Sequence, residues 1–551
     1  MPRTILSLPS LESRPKAEWE ARGWWGREPL WRRVRDRAAT QRRKVAVIDE
    51  TGSLTYGELW EAVLEGARAL RGAGLNRGEI VLTQLPNWRE YVIILLACEV
   101  SGAVFSFCPI KWGSRECARA LDLLRPRLWV TCSEFLGDGR MEVINTALEA
   151  AAEPVETVFV RDAVNEFRTW SEVVDAAPAP VPAMTGEEAI ANAGVGLYPL
   201  EIAVTSGTTG HPKGVVHAHD TALDTVQSTI DRQGIGEEDV IHLALPVGHT
   251  FGYFYGVRCA LQAGGTVLLQ ERWDPRSMAE LARAHGVTVS LGTAAFIIDL
   301  LGAGEDVLRA LDGMWLFTQS GDALPGPVVE RAHKELPFRV SRALGMSEFG
   351  HATSTDADSP VGRIFDSAGS AQAEIEIDIA DADGKRLPPG SEGRILVRGP
   401  AVCAGYLRPD GTIDDVVDGD GFFDTGDLGK LNEEGYLRVT GRLKNVLRRG
   451  AETVPVADLE DVLSSHPDVV LAVVVGLPDA RLGDKPIACV ELRPGASLTM
   501  DDVREWFGGQ GITRKFWPTD IHLVGEWPTG ATGKSDRRLL LAEYQKALGA
   551  T

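Results

Sequence analysis

The chain has 551 residues, and its 57 Lys and Arg against 78 Asp and Glu give a formal charge of −21 at pH 7. A chain of this length holds several folding units with an ample apolar core. Its acidity repels phosphate backbones and anionic lipid, so we expect neither nucleic acid nor a membrane as a partner. The longest apolar run, 91–98, stops at Glu99, whereas a membrane-spanning helix needs about 20 residues.

Cysteine usage predicts the cellular compartment. The seven cysteines are odd in number and form no C-x-x-C pair, which indicates neither a disulfide framework nor a zinc site. The N-terminal stretch carries Glu12, Lys16 and Glu18 where a signal peptide needs an apolar run. We therefore expect a cytoplasmic protein.

Strand-like apolar runs alternate with helix-period segments along much of the chain. The first four segments are a strand at 45–49, a helix at 56–72, a strand at 80–84 and a helix at 90–101. The Ala-, Pro- and Gly-rich stretch 177–195 predicts a loop ahead of a strand at 201–204. The second alternation comprises a helix at 277–285 and strands at 242–245, 266–270, 287–292 and 315–318. Such alternation predicts parallel sheets covered by helices.

The pattern changes at Ser370 and again after Gly441. The segments that carry the change are strands at 374–379 and 394–398 with a turn at 382–384, then helices at 456–465 and 500–507 with strands at 469–475 and 486–491. They predict a β-rich unit followed by a small α+β unit. We therefore predict an α/β fold whose large N-terminal domain, 1–440, has two parallel-rich α/β subdomains and a β-rich subdomain. A small, mobile α+β domain, 441–551, follows it.

A glycine-rich loop directly follows the strand predicted at 201–204. Its sequence is Thr205-Ser206-Gly207-Thr208-Thr209-Gly210-His211-Pro212-Lys213-Gly214. Glycines allow tight turns with inward N–H groups, and the hydroxyl and ammonium side chains add donors, so the loop is suited to wrap a polyphosphate. It is not a Walker A loop, because Lys213 lies between Pro212 and Gly214 instead of in a G-K-[ST] sequence.

At this loop the sequence resembles the adenylate-forming superfamily of acyl-CoA synthetases, aryl-acid ligases, peptide-synthetase adenylation domains and luciferases. The resemblance runs from Val45 to Arg537 with several motifs in the family's order. It implies ATP, Mg²⁺ and coenzyme A as cofactors, with the loop on the β- and γ-phosphates. The nucleotide site that it implies comprises Thr205, Ser206, Gly207, Thr208, Thr209, Gly210, Lys213, Gly321, Asp322, Ala323, Leu344, Gly345, Met346, Asp427 and Arg442.

Three short motifs carry further implications of the resemblance. Gly345-Met346-Ser347-Glu348 looks like the family's G-x-[ST]-E motif, which implies Ser347 near the α-phosphate and Glu348 on Mg²⁺, a hard cation that requires oxygen ligands. Asp424-Thr425-Gly426-Asp427 matches a T-G-D motif, which implies that Asp427 accepts hydrogen bonds from the ribose hydroxyls. Gly441-Arg442-Leu443-Lys444 resembles the hinge motif, which implies Arg442 on the ribose or phosphate and the swivel at Lys444.

The segment 528–534 resembles the family's lysine loop. The implied reaction joins a carboxylate to a polyanion, and two unit charges about 4 Å apart at an effective dielectric of about 20 repel by roughly 4 kcal/mol. The resemblance implies that Lys534 removes this obstacle and stabilises charge as pyrophosphate leaves. It also implies that His249 is a gate residue and that His249, Gly450 and Ala451 line a channel for the incoming thiol once the small domain has rotated.

Four positions depart from the family's pattern. They are Leu344 where Tyr or Trp usually stacks on adenine, Asp322-Ala323 where Ala-Pro is common, Ser370-Ala371 where Lys or Arg precedes Pro, and Gly450-Ala451-Glu452-Thr453 where Gly-Gly-Glu-Asn is common. Loss of one aromatic face removes about 0.5–1.5 kcal/mol of stacking. One interpretation is drift, because a leucine can still cover a purine. The other is a relative that transfers an acyl-adenylate supplied by an upstream adenylate-forming enzyme.

The aromatic run 251–255 bears on the substrate. Together with 84–88 it looks most like acyl-CoA ligases for cyclic or medium-chain aliphatic acids. We expect a bulky apolar carboxylic acid in a pocket lined by Phe251, Tyr253, Phe254, Gly292 and Thr293. We expect CoA as the acceptor because no carrier domain follows Lys534, with a free-standing carrier protein as the alternative. A luciferase-like oxidation and a non-catalytic nucleotide-binding relative are the competing classes, and a homodimer is left open.

Overall fold

The computed structural model describes most of the chain. The described residues are 8–162, 164, 167–177, 198–205, 212–322, 324–443, 447–449, 452–454, 456–479, 483–508, 510, 514–530 and 534–549. The predicted loop at 177–195 therefore lies outside the described residues except for Ala177. Within them, no helix is both long and apolar enough to cross a bilayer.

The first sheet has nine strands and a parallel centre. Its parallel strands are, in spatial order, Arg339–Met346, Leu316–Ser320, Val289–Gly292, Val240–Leu243, Thr266–Leu269 and Val45–Asp49. Antiparallel strands close both edges: Gly350–Ser354 and Ser370–Ala371 beside Arg339–Met346, and Gly52–Thr55 beside Val45–Asp49. The predicted parallel arrangement is confirmed, and the carboxyl ends of the central strands meet at one edge.

The second sheet also has nine strands. Its parallel strands are Pro199–Thr205, Val104–Phe107, Ile80–Thr83, Leu128–Thr131, Glu156–Phe159 and Arg168–Thr169. An antiparallel group, Lys213–Ala218, Gly405–Leu407 and Ile413–Asp414, extends it from Pro199–Thr205. The strand Lys213–Ala218 was not predicted from the sequence. Because Thr205 pairs with Lys213, the glycine-rich loop connects two neighbouring antiparallel strands.

Helices cover both sheets. The apolar run at 91–98 belongs to the helix Arg89–Ser101, in which every residue from Tyr91 to Val100 is buried, so this run is a core helix. The helix Tyr56–Gly72 begins at a capping box in which Thr55 and Glu58 satisfy each other's backbone N–H groups. The other helices around the two sheets are Pro9–Glu12, Lys16–Ala21, Leu30–Thr40, Ser114–Leu124, Met141–Ala150, Trp170–Asp175, His219–Gln233, Thr250–Gly252, Tyr253–Arg258, Cys259–Ala263, Pro275–His285, Ala294–Gly302, Glu305–Ala310, Gly326–Glu335 and Val361–Asp366.

Two smaller sheets follow the large ones. The antiparallel strands Glu376–Ala380, Gly393–Arg398, Phe423–Leu431 and Leu437–Arg442 form the predicted β-rich unit. The last sheet comprises Glu452–Thr453, Arg448–Arg449, Gly483–Leu492, Val469–Asp479 and Asp520–Leu523. It packs with the helices Val456–Ser464, Met500–Phe507, Arg514–Phe516 and Arg537–Gly549. These units confirm the predicted fold class.

Candidate active site

Five of the predicted site residues lie just beyond the carboxyl ends of parallel strands in the first sheet. Gly321 and Asp322 follow Leu316–Ser320, Thr293 follows Val289–Gly292, and Ser347 and Glu348 follow Arg339–Met346. Because parallel strands share one carboxyl edge, segments distant in sequence meet there. This edge is where open α/β sheets bind their ligands.

Glu348 is buried and anchored by a residue that the sequence reasoning missed. The hydroxyl of Tyr406 donates a 2.7 Å hydrogen bond to Glu348 Oε1. The ammonium of Lys213 lies 4.2 Å from the centre of the same tyrosine ring. Burial and the neighbouring Glu348 carboxylate raise the pKa of Tyr406, so its hydroxyl remains a donor. Tyr406 thus links the predicted metal ligand to the predicted phosphate lysine, and no motif in the sequence indicated it.

Ser347 is held by two neighbouring segments. Its hydroxyl lies 2.8 Å from Thr250 Oγ1, and its carbonyl oxygen accepts a 2.7 Å hydrogen bond from His217 Nε2. Burial lowers the pKa of His217 to about 4, so the ring is neutral near pH 7 with its proton on Nε2. His217 is a second residue of this site that the sequence reasoning missed.

The oxygen atoms around Glu348 fit Mg²⁺. One carboxylate with nearby hydroxyl oxygens is a hard donor set, and Mg²⁺ is usually held by one or two carboxylates together with substrate phosphates. Among the described residues, no group of three or more His, Cys, Asp and Glu could form a complete cage of protein ligands. Glu348 is therefore suited to hold Mg²⁺ jointly with a bound triphosphate.

Asp427 and Arg442 form an ion pair in the β-rich unit. The two residues face each other across antiparallel strands, and Arg442 Nε donates a 2.7 Å hydrogen bond to Asp427 Oδ1. Burial raises the pKa of Asp427, while Arg442 opposes that rise. The pair brings together the predicted ribose-binding residue and the predicted hinge-motif arginine.

Lys534 reaches the same edge from the C-terminal unit. Its side chain lies against Gly321, where an added Cβ would be 2.8 Å from Lys534 Cε and 3.3 Å from Nζ. Burial lowers the pKa of Lys534, and the charges that act on it are those of Asp322, Arg442 and Asp427. The structure therefore brings the predicted lysine to the predicted nucleotide residues.

His249 lies beside this lysine. Its Nδ1 accepts a 3.3 Å hydrogen bond from the backbone N–H of Phe251 and so caps a short helix. Burial and, to a smaller extent, the charge of Lys534 together lower the pKa of His249 to about 3. The ring is therefore neutral at physiological pH, with its proton on Nε2.

The strand that leads to Ser347 carries the predicted adenine side of the site. Leu344 is half-buried and packs, with Met346, against the core of the β-rich unit. Its backbone N–H donates to Thr353 Oγ1 at 3.2 Å. Any side chain at position 345 would require its neighbours to move, because an added Cβ on Gly345 would lie 2.7 Å from His351 Cδ2 and 2.9 Å from the carbonyl oxygen of Gly350.

The structure corrects the predicted acyl pocket at Tyr253. This side chain is fully buried. Its hydroxyl donates a hydrogen bond to Glu201 Oε2 and accepts a 2.7 Å hydrogen bond from Arg258 Nε. Its ring packs on Phe107 at 4.5 Å between centroids. Tyr253 is therefore part of the core, because neighbouring residues of a helical segment point in different directions.

The other predicted acyl residues have different neighbours. Phe251 lies edge-on to His351 at 5.6 Å, and Phe254 lies edge-on to His217 at 5.4 Å. Gly292 is required by packing, since an added Cβ would be 2.4 Å from Phe296 Cδ2. Thr293 is buried just before the helix Ala294–Gly302.

His351 is a third residue that the sequence reasoning missed. Its ring stacks on Tyr255 with centroids 3.6 Å apart and planes within 2°. Burial lowers the pKa of His351 to about 3, and neither ring nitrogen has a hydrogen-bond partner among the residues that the structure describes.

Several predicted residues lie outside the described residues. Thr205 ends one strand and Lys213 begins the next, but the loop between them is not described. The predicted site residues in this class are Ser206, Gly207, Thr208, Thr209, Gly210, Ala323, Lys444, Gly450 and Ala451.

Comparisons with known proteins identify the family. Residues 34–407 match the family model for AMP-binding enzymes, and residues 458–534 match the model for their C-terminal domain. The chain is 28% identical over 539 residues to the medium-chain fatty-acid–CoA ligase of Escherichia coli K12, covering 97% of this chain and 93% of that enzyme. It is also 28% identical over 544 residues to a salicyl-AMP ligase / salicyl-S-ArCP synthetase of Mycobacterium tuberculosis, covering 97% and 94%.

A solved structure extends the match to three dimensions. The ATP-bound MatB of Rhodopseudomonas palustris superposes with a TM-score of 0.80 at 26% identity, covering 94% of this chain and 99% of that one. The family-model match spans most of the chain, and the fold agrees with it. The chain therefore belongs to the AMP-binding enzyme family, whose members are ATP-dependent, AMP-forming ligases that work with ATP, Mg²⁺ and coenzyme A.

Proposed function

We propose that the chain activates a bulky apolar carboxylic acid as its acyl-adenylate and then transfers the acyl group to coenzyme A. The observation that carries this proposal is the position of Lys534 against Gly321, within electrostatic reach of Asp427 and Arg442. The charge of Glu348 also acts on Asp427 and raises its pKa. A cation, a metal-binding carboxylate and a ribose-binding carboxylate at one edge suit the reaction of an anionic acid with Mg-ATP.

In the proposed first half-reaction, an oxygen of the substrate carboxylate attacks the α-phosphorus. A new P–O bond forms while the bond to pyrophosphate breaks, and pyrophosphate leaves with the electron pair. Lys534 offsets the repulsion between the two anions and the charge that develops at the α-phosphate. Asp427 and Arg442 orient the ribose, and Ser347 lies near the α-phosphate. Glu348 holds Mg²⁺, which neutralises phosphate charge when it is bound.

In the proposed second half-reaction, the thiol sulfur attacks the acyl carbon and AMP leaves. We propose that, before this attack, 441–551 rotates relative to 1–440 about Lys444, which withdraws Lys534 and brings Gly450 and Ala451 toward His249. Contacts of Asp461 with Gly326 and Arg438 join the two parts in the present arrangement. Hydrogen bonds at exposed or half-buried positions are weak enough to exchange during such a rotation.

Two observations support the choice of substrates. Phe251 lies against the rings of Tyr255 and His351, which supports an apolar acid, and the E. coli relative is named as a medium-chain fatty-acid–CoA ligase. The Mycobacterium tuberculosis relative has an equal identity and is named for a carrier protein, which supports a free-standing carrier as the second candidate acceptor.

The free thiols support the proposed location. All seven cysteines are buried and none forms a disulfide. Secreted proteins of an oxidising compartment usually pair their cysteines. This pattern supports a cytoplasmic location.

The experiment that tests the proposal uses the purified full chain and a panel of aliphatic, cyclic and aromatic acids. ATP–pyrophosphate exchange reports the first half-reaction, and thioester formation with CoA or with a phosphopantetheinylated carrier reports the second. We expect exchange and acyl-CoA formation with at least one apolar acid. Acyl transfer from a supplied adenylate without any exchange would overturn the proposed activation step, and thioester formation on the carrier alone would overturn the proposed acceptor.

A further inference from the structure

Asp322 lies next to the residue on which Lys534 rests. Gly321 has a φ of +96° and no side chain, and this leaves room for the lysine tip. A Cβ at Gly321 would approach Lys534 Cε to 2.8 Å. The ammonium group is therefore beside the turn formed by Gly321 and Asp322, where the sequence departs from the family's common Ala-Pro pair.

The carboxylate of Asp322 is fixed by its surroundings. Its Oδ1 accepts a 2.9 Å hydrogen bond from the backbone N–H of Ala294 and a 3.1 Å hydrogen bond from Gln319 Nε2. Gln319 Nε2 also donates to the Asp322 carbonyl oxygen at 2.9 Å. Three hydrogen bonds hold this residue in one orientation, so its charge has a fixed position relative to Lys534.

Asp322 is also the carboxylate near Lys534 whose charge is not already paired. Asp427 is paired with Arg442 at 2.7 Å. No ion pair within 4.0 Å is found for Asp322 among the described residues, so its charge and that of Lys534 act on each other over a longer distance. Arg537, the other cation on which the charge of Asp322 acts, is paired with Glu460 at 2.8 Å. The charges of Asp322 and Lys534 therefore act on each other.

We propose that Asp322 is a positioning residue for the first half-reaction: its carboxylate, fixed by Ala294 and Gln319 next to the glycine against which the lysine rests, keeps the ammonium of Lys534 protonated before the acid and ATP react. This inference rests on the proposed function. Asp322 touches neither reactant in this role and acts through Lys534. It has no role in the second half-reaction, for which Lys534 is withdrawn.

The electrostatics of the site give the direction of the effect. Burial lowers the pKa of Lys534, and Asp322 is the largest of the charges that oppose this. Arg442 lowers the pKa and Asp427 raises it, and these two are paired with each other; His249 is neutral. Removing the charge of Asp322 therefore lowers the pKa of Lys534 further, so that the lysine loses its proton at a lower pH.

The decisive variant is Asp322→Asn, which keeps an oxygen for the N–H of Ala294 but removes the charge. We expect the alkaline limb of ATP–pyrophosphate exchange to move to lower pH by about one unit, equivalent to a tenfold change in the ionisation constant. Thioester formation from a supplied acyl-adenylate should change by less than about twofold. Asp322→Glu, which restores a carboxylate, should recover part of the shift. An unchanged exchange profile, or equal loss of both half-reactions, would overturn the inference.

A double-variant cycle separates action through Lys534 from a structural role. If Asp322 acts through the lysine, Asp322→Asn has no further effect on exchange in a Lys534→Ala background. If Asp322→Asn lowers exchange by the same factor in the wild type and in the Lys534→Ala variant, the inference is overturned.

A direct titration distinguishes this inference from the proposed function. The ¹³Cε signal of Lys534, assigned by its absence from Lys534→Ala, reports the pKa in the enzyme without substrates. We expect Asp322→Asn to lower the titration midpoint, whether or not a substrate acid has been found. An unchanged midpoint would overturn the inference alone, whereas a lowered midpoint in an enzyme without exchange would overturn only the proposed function.

Discussion

The hydroxyl of Tyr406 donates a 2.7 Å hydrogen bond to Glu348, while the ring of the same tyrosine lies 4.2 Å from the ammonium of Lys213. Tyr406 belongs to the strand Gly405–Leu407, which pairs with Lys213–Ala218 in the second sheet. Glu348 follows a strand of the first sheet. One tyrosine therefore connects the two sheets at the point where the metal-bound triphosphate is proposed to bind.

Replacing Tyr406 tests this connection. Tyr406→Phe keeps the ring beside Lys213 but removes the donor to Glu348, and a hydrogen bond to a charged group contributes about 1.5–3 kcal/mol. We expect the Mg²⁺ concentration needed for half-maximal exchange to rise by at least about threefold. Tyr544→Phe is the matched control, because it removes a comparable 2.6 Å bond to Asp520 in the C-terminal unit. Identical Mg²⁺ dependence in the variant and the wild type would contradict the prediction.

Lys534→Ala should separate the two half-reactions. The ammonium is needed only while charge develops at the α-phosphate, so we expect exchange to fall by about a hundredfold or more. Transfer from a supplied acyl-adenylate to the thiol should persist. Lys546→Ala, at an exposed position of the last helix, controls for the loss of a positive charge. Equal losses in exchange and transfer would count against the role proposed for Lys534.

Much of the fold follows from local patterns in the sequence. The strand Val45–Asp49 and the helix Tyr56–Gly72 have the predicted bounds, because apolar periodicity and the capping box are encoded within a few residues. The strand Lys213–Ala218 was missed because it is defined by its pairing with Pro199–Thr205 and Gly405–Leu407. Pairing partners distant in the chain leave no local signal.

The site residues also differ in whether a local motif or a contact distant in the chain defines them. Glu348, Asp427 and Lys534 lie in motifs that can be recognised from the sequence, whereas the hydrogen bond from Tyr406 to Glu348 spans 58 positions. Tyr253 was assigned to the acyl pocket because it belongs to an aromatic run. Its hydroxyl instead meets the buried Glu201 and Arg258, which is a tertiary contact that composition cannot reveal.

The contacts of Asp461 should favour the arrangement in which Lys534 occupies the site. Its Oδ1 accepts from the backbone N–H of Gly326 at 3.1 Å, and its Oδ2 accepts from Arg438 at 3.1 Å. We expect Asp461→Ala to lower exchange by about threefold to tenfold while leaving transfer from a supplied adenylate intact. Asp458→Ala, which removes a contact with Arg438 but leaves Asp461 and its bond with Gly326 in place, should have a smaller effect. A fall in both half-reactions would contradict this account of Asp461.

His351 should make the enzyme less stable in mild acid. The pKa of His351 is about 3 against an ordinary value of 6.5, so below pH 6.5 the unfolded chain binds a proton that the folded chain does not. The associated stability is present above pH 6.5 and falls by up to about 1.4 kcal/mol per pH unit between the ordinary pKa of 6.5 and the folded-state pKa of about 3.

His351→Phe removes this titration and keeps an aromatic ring for stacking on Tyr255. We expect the loss in melting temperature between pH 7 and pH 5 to be smaller in the variant than in the wild type. His285→Phe, at an exposed position, is the control and should leave the loss unchanged. The same loss in His351→Phe would show that this histidine is not buried in its neutral form.

Leu344 occupies the position that the family resemblance assigns to an aromatic ring stacked on adenine. Its backbone is held by Thr353 and its side chain packs against the β-rich unit, so the strand keeps its shape without the ring. If the leucine reflects drift, the wild type exchanges pyrophosphate with its acid, and Leu344→Tyr changes the KM for ATP by no more than about tenfold, equivalent to roughly 1.4 kcal/mol. Leu344→Val is the matched control for a change of shape without a new ring. We expect this outcome because Lys213, Glu348 and Lys534 act on the charges that limit adenylation, and the structure keeps all three. Absence of exchange with every acid, together with transfer from a synthetic acyl-adenylate, would instead indicate that the adenine site has decayed and that another enzyme supplies the adenylate.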